Sequence, residues 1–358
     1  MQSGYIHHRQ VKAWVIATAI VAAIAAIALF RDRGPVTVDS GQRVVMGTFS
    51  RVVVVAKDRG KAFACIDAAM QDQQWIEGMM SFHRPGSQLS ILNRYGHERP
   101  VALPEPLFEL IKRAIDLSNA THGGFDPTVG PLVRLWREAG QAGHLPSDSQ
   151  IQQALERTGC TKLILDPNAM TVRFATDGMM LDLGGIAKGY AVDRSIEILK
   201  RMGALGGMVD LGGNIRCFGR PPSSAACWTI GVQDPTKVDT GDQDGIAMVL
   251  RLTDQSVATS GHYYRFETIG GKRFSHIIDP RTGQPAQALA SVTVIAPDAT
   301  TADALSTAIA VLGADEGLRL LAELPGVDGI LMQLDASGRL TTRMTEGVKR
   351  LLADAPRR

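Results

Sequence analysis

Residues 181–213 read LDLGGIAKGYAVDRSIEILKRMGALGGMVDLGG. An apolar residue and an aspartate lead into Gly184-Gly185, and a helix is expected over residues 184–202. A strand-rich stretch follows over residues 207–257, so strands and helices do not alternate strictly, and α+β is favoured over a doubly wound sheet. Working outward, residues 44–56 are β-branched and strand-like. Residues 61–80 carry Phe63, Ile66, Met70, Ile76 and Met79 at helical spacing. A second amphipathic helix is expected over 104–120, with Pro104 and Pro106 at its start and Gly123-Gly124 after its end. Residues 161–166 and 171–175 read as a hairpin around Pro167-Asn168. Strands are expected near 274–278 and over 291–296, and a helix over 301–312. Residues 233–245 are polar and charged and read as an exposed loop. Asp182-Leu183-Gly184-Gly185 recurs as Asp210-Leu211-Gly212-Gly213. The echo is either chance in a glycine-rich chain or a pair of turns where backbone approaches a ligand closely.

The chain has 358 residues and 37 glycines, a length that suits one large domain or two lobes. Its net charge of +2 gives no global field toward nucleic acid, and no basic stripe with interleaved aromatics appears. Residues 13–30 form an uncharged apolar run, preceded by Arg9 and Lys12 and followed by Arg31 and Arg33. As a helix this run would rise about 27 Å, close to the hydrocarbon core of a bilayer. It reads as an export signal kept as an anchor. Ala26-Ile27-Ala28 is the passable cleavage site of the alternative, a removed signal peptide. The division expected is therefore an anchor over 1–34 and one folded domain over 35–358. None of Cys65, Cys160, Cys217 and Cys227 forms a CxxC pair. Cys217 and Cys227 either face each other across a hairpin or lie unlinked in neighbouring strands.

Four segments carry chemistry. In residues 181–190 the amides at a helix start can bind phosphate oxygens, and Lys188 would sit one turn in; an ordinary glycine turn accounts for the same residues. Asp303 and Thr307 are four apart on an expected helix and share one face. Their oxygens suit Mg²⁺, although Asp and Thr near a helix start also serve as caps. In residues 274–283, turn chemistry explains Asp279, Pro280 and Gly283. It leaves His276 as a candidate general base or a satisfied core histidine. Residues 123–132 are rich in Gly and Pro and read as a rigid loop or a plain connector.

Together, in this order and spacing, these segments resemble the ApbE family of FAD:protein FMN transferases. The resemblance runs from Met46-Gly47-Thr48 to about Gly313. It takes in Ser81-Phe82 through Ser87, Ser90, Asn93, residues 125–128, both Asp-Leu-Gly-Gly turns, residues 259–261, 276–283 and 302–307. It implies an α+β fold of mixed β-sheets packed with helices in two lobes, behind an N-terminal transmembrane helix. The activity implied is Mg²⁺-dependent transfer of FMN from FAD to a Ser or Thr hydroxyl of an acceptor flavoprotein, with release of AMP. An FAD pyrophosphatase and a non-catalytic exported FAD-binding protein are the alternatives. The resemblance also implies that Met46, Phe82, Gly124, Phe125, Asp126, Asp182, Lys188 and Ile277 contact FAD, with Phe82 on the adenine. Mg²⁺ would be held by a backbone oxygen of Gly185 and by Asp303 and Thr307. His276 would take the proton of the acceptor hydroxyl. The acceptor would belong to a membrane or exported redox system, and the location implied is the periplasmic side of a bacterial inner membrane. Where many members have a tyrosine after the position of Met80, this chain has Phe82.

Overall fold

The computed structural model describes Trp14 and residues 34–221, 225–237, 245–261, 266–335 and 337–353. The described domain begins with β1 (Val36–Asp39), β2 (Arg43–Val45) and β3 (Thr48–Ala56). The run expected as one strand over 44–56 is folded back on itself. Met46 and Gly47 take φ of 52° and 68° and Val45 pairs with Thr48, a two-residue turn that matches the twist of its strands.

Helix α1 (Arg59–Met80) starts at Asp58, whose carboxylate accepts the Lys61 N–H at 2.8 Å. It buries Ile66, Met70, Ile76 and Met79 and leaves Phe63 on its outer face. Next come α2 (Gln88–Tyr95), β4 (Val101–Ala102) and α3 (Glu105–Ala120). The segment expected as a loop over 123–132 turns into α4 (Gly130–Ala142). There Pro131 occupies the first turn, where a missing N–H costs nothing. Helix α5 (Asp148–Leu155) opens on a Ser147/Gln150 capping box. The expected hairpin is β5 (Leu163–Asp166) with β6 (Thr171–Phe174).

Helix α6 (Ala187–Arg201) is followed by β7 (Gly206–Leu211), β8 (Asn214–Gly219), β9 (Trp228–Gln233), β10 (Ile246–Leu252) and β11 (Ser256–Gly261). Then come β12 (Phe266–Ile269), β13 (Lys272–Ser275) and β14 (Ser291–Ala296). The strand expected to reach residue 278 stops at Ser275, and His276 lies in a bend beyond it. The chain closes with α7 (Ala299–Glu323), β15 (Asp328–Leu334), β16 (Leu340–Met344) and α8 (Glu346–Leu351).

Nine strands form the central sheet, in the order β1-β3-β7-β8-β11-β14-β15-β16, with β2 also on β3. The mixed sheets expected are corrected here: every described strand pair is antiparallel. Helix α7 shows how. A straight helix between β14 and β15 would carry the chain to the far end of the sheet and make a parallel crossover. Gly313, at φ 80° and ψ −177°, breaks the helix, and the chain returns antiparallel.

One face of the sheet packs on α1, α6 and α7. Val52, Val54, Val209 and Leu211 meet Ile66 and Ile196 there, and Val292 and Val294 meet Leu305 and Ile309. The other face is covered by the β9–β10 ribbon and α8, through Trp228, Ile230, Leu250 and Val348 on Val53, Val257 and Ile295. A small fourth core joins Trp136 of α4 and Ile151 of α5 to Ile269 and Ile278. All four cysteines are free. Cys217 lies in the central sheet and Cys227 precedes β9 of a separate ribbon, so the two are unlinked as the second alternative has it, though not in neighbouring strands. Among the described residues no helix is long and apolar enough to cross a membrane. The apolar run over 13–30 lies outside them apart from Trp14.

Candidate functional site

The two Asp-Leu-Gly-Gly segments serve different purposes. Gly212 and Gly213, with φ of 60° and 84°, make the turn between β7 and β8. A Cβ on Gly212 would lie 2.6 Å from the Thr48 hydroxyl, so that glycine is demanded by packing. The first copy leads into α6 and is held from two sides. Asn93 of α2 exchanges two hydrogen bonds with the Leu181 backbone, at 2.7 and 2.9 Å. The Asp182 N–H reaches the Pro127 carbonyl at 2.8 Å. Asp182 Oδ1 accepts the Gly184 N–H at 2.7 Å and tightens the turn. Ile186, at the N-cap of α6, supplies no side-chain cap, which leaves the helix start to other acceptors.

Helix α7 crosses this segment at its first turn. Gly189 N–H donates to Asp303 Oδ2 at 2.9 Å, and Lys188 Nζ donates to Asp303 Oδ1 and to the Gly184 carbonyl, both at 3.3 Å. The Asp303 side chain is 4% exposed and that of Lys188 23%. A Cβ on Gly189 would lie 2.2 Å from the Ala299 carbonyl and 2.8 Å from Asp303 Cβ, so the helices touch backbone to backbone. The cap of α7 is Asp298, which accepts the Thr301 N–H at 2.8 Å. Asp303 therefore lies inside the helix and is no cap. Thr307, on the same face, meets the Gly185 backbone: a Cβ there would lie 3.0 Å from Thr307 Oγ1 and 3.2 Å from the Phe125 ring. Asp303, Thr307, Gly185 and Lys188 are thus brought together. Among the described residues no cluster of three or more His, Cys, Asp or Glu is present. The side chains brought together offer one carboxylate and one hydroxyl beside the Gly185 backbone, and such hard oxygens suit Mg²⁺.

Phe125 is buried beside this set, and Gly124 is pressed on Leu312 of α7, whose Cγ would lie 2.9 Å from a Cβ. Asp126 Oδ1 accepts from Thr128 N–H and Oγ1–H at 2.7 and 2.6 Å and from the Cys160 thiol at 3.2 Å. Burial, then the Asp126 charge, push the Cys160 thiol up, so it stays a donor. Met46 packs on the core that contains Phe125 and Leu183. The loop after β13 comes alongside: Arg281 Cγ lies 4.0 Å from where a Cβ on Gly123 would be. In that loop Ile277 and Ile278 are buried and His276 is exposed in the bend, so strand alternation does not set its direction. Asp279 accepts the Arg281 N–H at 2.8 Å, and Trp136 Nε1 donates to the Gly283 carbonyl at 2.8 Å, so this turn is structural.

Phe82 is half-buried against the main core. His83 meets it edge-on at 5.4 Å and Arg137 lies over its ring at 6.0 Å; His83 Nδ1 and Arg137 Nη1 are 3.0 Å apart. Burial holds the Asp182 carboxyl above the usual aspartate range, opposed by the Gly184 N–H and by the charges of His83, Arg137 and Lys188. His83, Arg137 and Cys160 escaped the sequence reading. None carries a periodic or turn signal, and only position beside Ser81-Phe82 could have pointed to His83. A cavity of about 660 Å³ opens beside Phe82 and His83, lined further by Arg94, Arg134 and Arg157. Of the expected site residues it takes in Phe82 alone, so the site is defined by the α6–α7 contacts and not by this cavity.

A sequence profile of the ApbE family matches residues 46–331. The chain belongs to the ApbE family. An ApbE relative from Treponema pallidum (strain Nichols), named FAD:protein FMN transferase, is 35% identical over 324 residues, covering 87% of this chain and 88% of its own. One of the same name from Klebsiella pneumoniae (strain 342) is 34% identical over 257 residues, 72% and 78% of the two chains. The crystal structure of the Thermotoga maritima ApbE protein superposes with a TM-score of 0.77 at 33% identity, over 89% of this chain and all of that one. The flavin transferase ApbE of Vibrio cholerae gives 0.75 at 28% identity. This ApbE chain is accordingly a transferase with the α+β fold of those structures.

Proposed function

We propose that this ApbE enzyme transfers FMN from FAD to a Ser or Thr hydroxyl of an acceptor flavoprotein, with Mg²⁺, and releases AMP. The flavin-transfer class rests on the relatives' names. The observation that carries the rest is the contact of Gly185 with Thr307 beside the buried Asp303. In this reading Asp303, Thr307 and the Gly185 carbonyl hold Mg²⁺, which when bound would neutralise charge on the pyrophosphate. Lys188, one turn into α6, lies where it can turn to a phosphate oxygen. The start of α6 offers the positive end of the helix dipole, while its Ala187 and Gly189 amides are taken by the Leu183 carbonyl and Asp303. Met46, Gly124, Phe125, Asp126, Asp182 and Ile277 border FAD, and Phe82 takes the adenine with His83 beside it. The acceptor hydroxyl oxygen bonds to the FMN phosphorus, the bond from that phosphorus to the AMP oxygen breaks, and the hydroxyl proton passes to His276. Transfer rather than hydrolysis then depends on the acceptor keeping water out.

Residues 1–34 are proposed to anchor the enzyme in a bacterial inner membrane, with the domain over 35–358 on the periplasmic side. Its acceptor would be a flavoprotein of a membrane or exported redox system. Support for the anchor comes from the uncharged run over 13–30; the basic residues on its two sides balance, so the side assigned to the domain rests on the family resemblance.

Incubating the protein with FAD, Mg²⁺ and a candidate acceptor, and following AMP and protein-bound flavin fluorescence, tests the reading. The parent should make both products, EDTA should stop both, and Asp303→Ala should make neither while remaining folded. AMP without labelled acceptor would make the enzyme a pyrophosphatase; bound FAD without AMP would make it a carrier. Normal turnover of Asp303→Ala in Mg²⁺ would remove the metal assignment.

A further inference from the structure

Helix α7 begins with two aspartates at its N-terminus, and one of them is borrowed. Its own cap, Asp298, accepts the Thr301 N–H at 2.8 Å and pairs with Arg113 of α3 at 2.6 Å. The Ala299 and Thr300 amides, also left without intrahelical partners, turn instead to Asp193 of α6. Asp193 Oδ1 accepts the Ala299 N–H at 2.9 Å, and Oδ2 accepts the Thr300 N–H at 2.8 Å and its hydroxyl at 2.5 Å. Arg216 of β8 completes the shell with a 2.7 Å contact to Oδ1. The Asp193 side chain is 14% exposed. A buried carboxylate with this many donors is satisfied in place, and each of its bonds depends on where α7 begins.

The second contact between the same helices lies one turn earlier on α6, where Gly189 N–H meets Asp303 Oδ2 at 2.9 Å. The two contacts form a ladder: residues 189 and 193 on α6 face residues 303 and 299–300 on α7. A slip of α7 by one residue moves it about 1.5 Å and breaks both rungs. Oxygen ligands to a metal tolerate only about 0.2 Å. We propose that Asp193 is a positioning residue for the metal-ligand set: its carboxylate, reaching from α6 to the first amides of α7, holds Asp303 and Thr307 at the register that meets Gly185 and Lys188. This inference rests on the reading that Asp303, Thr307 and Gly185 bind Mg²⁺.

The test measures FAD binding to the full chain by flavin fluorescence across a Mg²⁺ series, with the melting temperature of each ligand-free variant alongside. Asp193→Asn sets an amide N–H₂ against a wall of donors. It should raise the Mg²⁺ concentration for half-maximal effect by about 10- to 100-fold, the usual cost of losing an outer-shell partner. FAD affinity in EDTA should stay at the parent value, and AMP release should recover at saturating Mg²⁺. Arg216→Gln keeps the carboxylate and should shift the same midpoint less, in the same direction; it carries the test if Asp193→Asn does not fold. Asp72→Asn is the control. It breaks a comparable pair on another side of α6, where Arg194 donates to Asp72 at 2.6 and 3.0 Å, and should lower the melting temperature without moving the Mg²⁺ midpoint. A lowered melting temperature with an unmoved midpoint in both Asp193→Asn and Arg216→Gln overturns the proposal. So does a shift in Asp72→Asn equal to that in Asp193→Asn. A parent whose FAD binding ignores Mg²⁺ removes the metal reading itself, and the positioning role with it.

Discussion

At the scale of single residues, the site spends stability on charge. Burial holds the Asp182 carboxyl above its ordinary value of 3.8. A carboxyl raised in the folded state takes up its proton more readily there than in the unfolded chain. It therefore favours the fold at low pH and opposes it as pH rises through the folded value. Asp182→Asn keeps an oxygen for the Gly184 N–H and removes that opposition. The variant should melt roughly 2–4 °C higher at pH 7–8 for each 1 kcal/mol recovered, and the gain should fade as pH falls through the folded value and be gone below 3.8. It should also bind FAD less well, the usual exchange at a functional position. A melting temperature equal to the parent's at every pH would show that burial does not tax this carboxylate. His276 belongs to the same scale. It stands exposed beside buried Ile277, so His276→Asn should bind FAD normally yet transfer FMN about 10²–10⁴-fold more slowly. Its pH–rate profile should lose the acidic limb; normal turnover with an unchanged profile returns His276 to a structural role. The pairing of Asp303 with Thr307 was legible in the sequence because an i, i+4 relation is local. Asp193 was not, because its partners lie 106 and 107 residues away and contact at that distance leaves no local pattern.

Among elements, glycines inside helices give opposite predictions. Gly78 lies exposed in the last turn of α1, and a Cβ there would meet nothing within 4 Å. Gly78→Ala should stabilise by about 0.5–1 kcal/mol, from helix propensity and reduced freedom of the unfolded chain. Gly189→Ala, in α6, would drive a methyl to 2.2 Å from the Ala299 carbonyl. It should cost about 1–3 kcal/mol or more and raise the Mg²⁺ concentration needed for half-maximal effect, since the helices must part where Asp303 meets Gly189. Urea titration of both variants checks the pair; equal signs would mean that the α6–α7 contact is looser than it stands here. The same elements mark where local pattern stopped being informative. Helix α1, the β5–β6 hairpin and β14 carry clean periodicity or turn residues and were legible. The β2–β3 turn was hidden because Met46-Gly47 interrupts a β-branched run without a typical turn pair. Helix α4 was hidden because Gly130 and Pro131 read as loop, although proline suits a first turn. The expected end of α7 at Leu312 coincides with the break at Gly313. What the sequence withheld was that helix resumes beyond it, which is decided by where β15 must enter the sheet.

For the whole molecule, the question is where the catalytic body begins. Strand β1 pairs with β3 from Val36↔Ala56 to Asp39↔Val53, buries Val38, and places Asp39 against Arg51 at 2.6 Å. Residues before Val36 contribute none of these contacts. A chain starting at Val36 should therefore melt with the parent domain and keep its full turnover of FAD. A chain starting at Gln42 loses the strand. It gives up about 1.5–3 kcal/mol for Val38 alone and uncovers the edge of β3 to pairing with other chains. It should melt at least about 5 °C lower and aggregate on heating. Equal melting of the two truncated chains would make β1 an ornament and move the boundary of the body inward. The full-length protein should resist carbonate extraction from membranes, and the chain starting at Val36 should not be found there. A shortened protein released from cells expressing the full sequence would instead mean that residues 13–30 act as a signal and are removed.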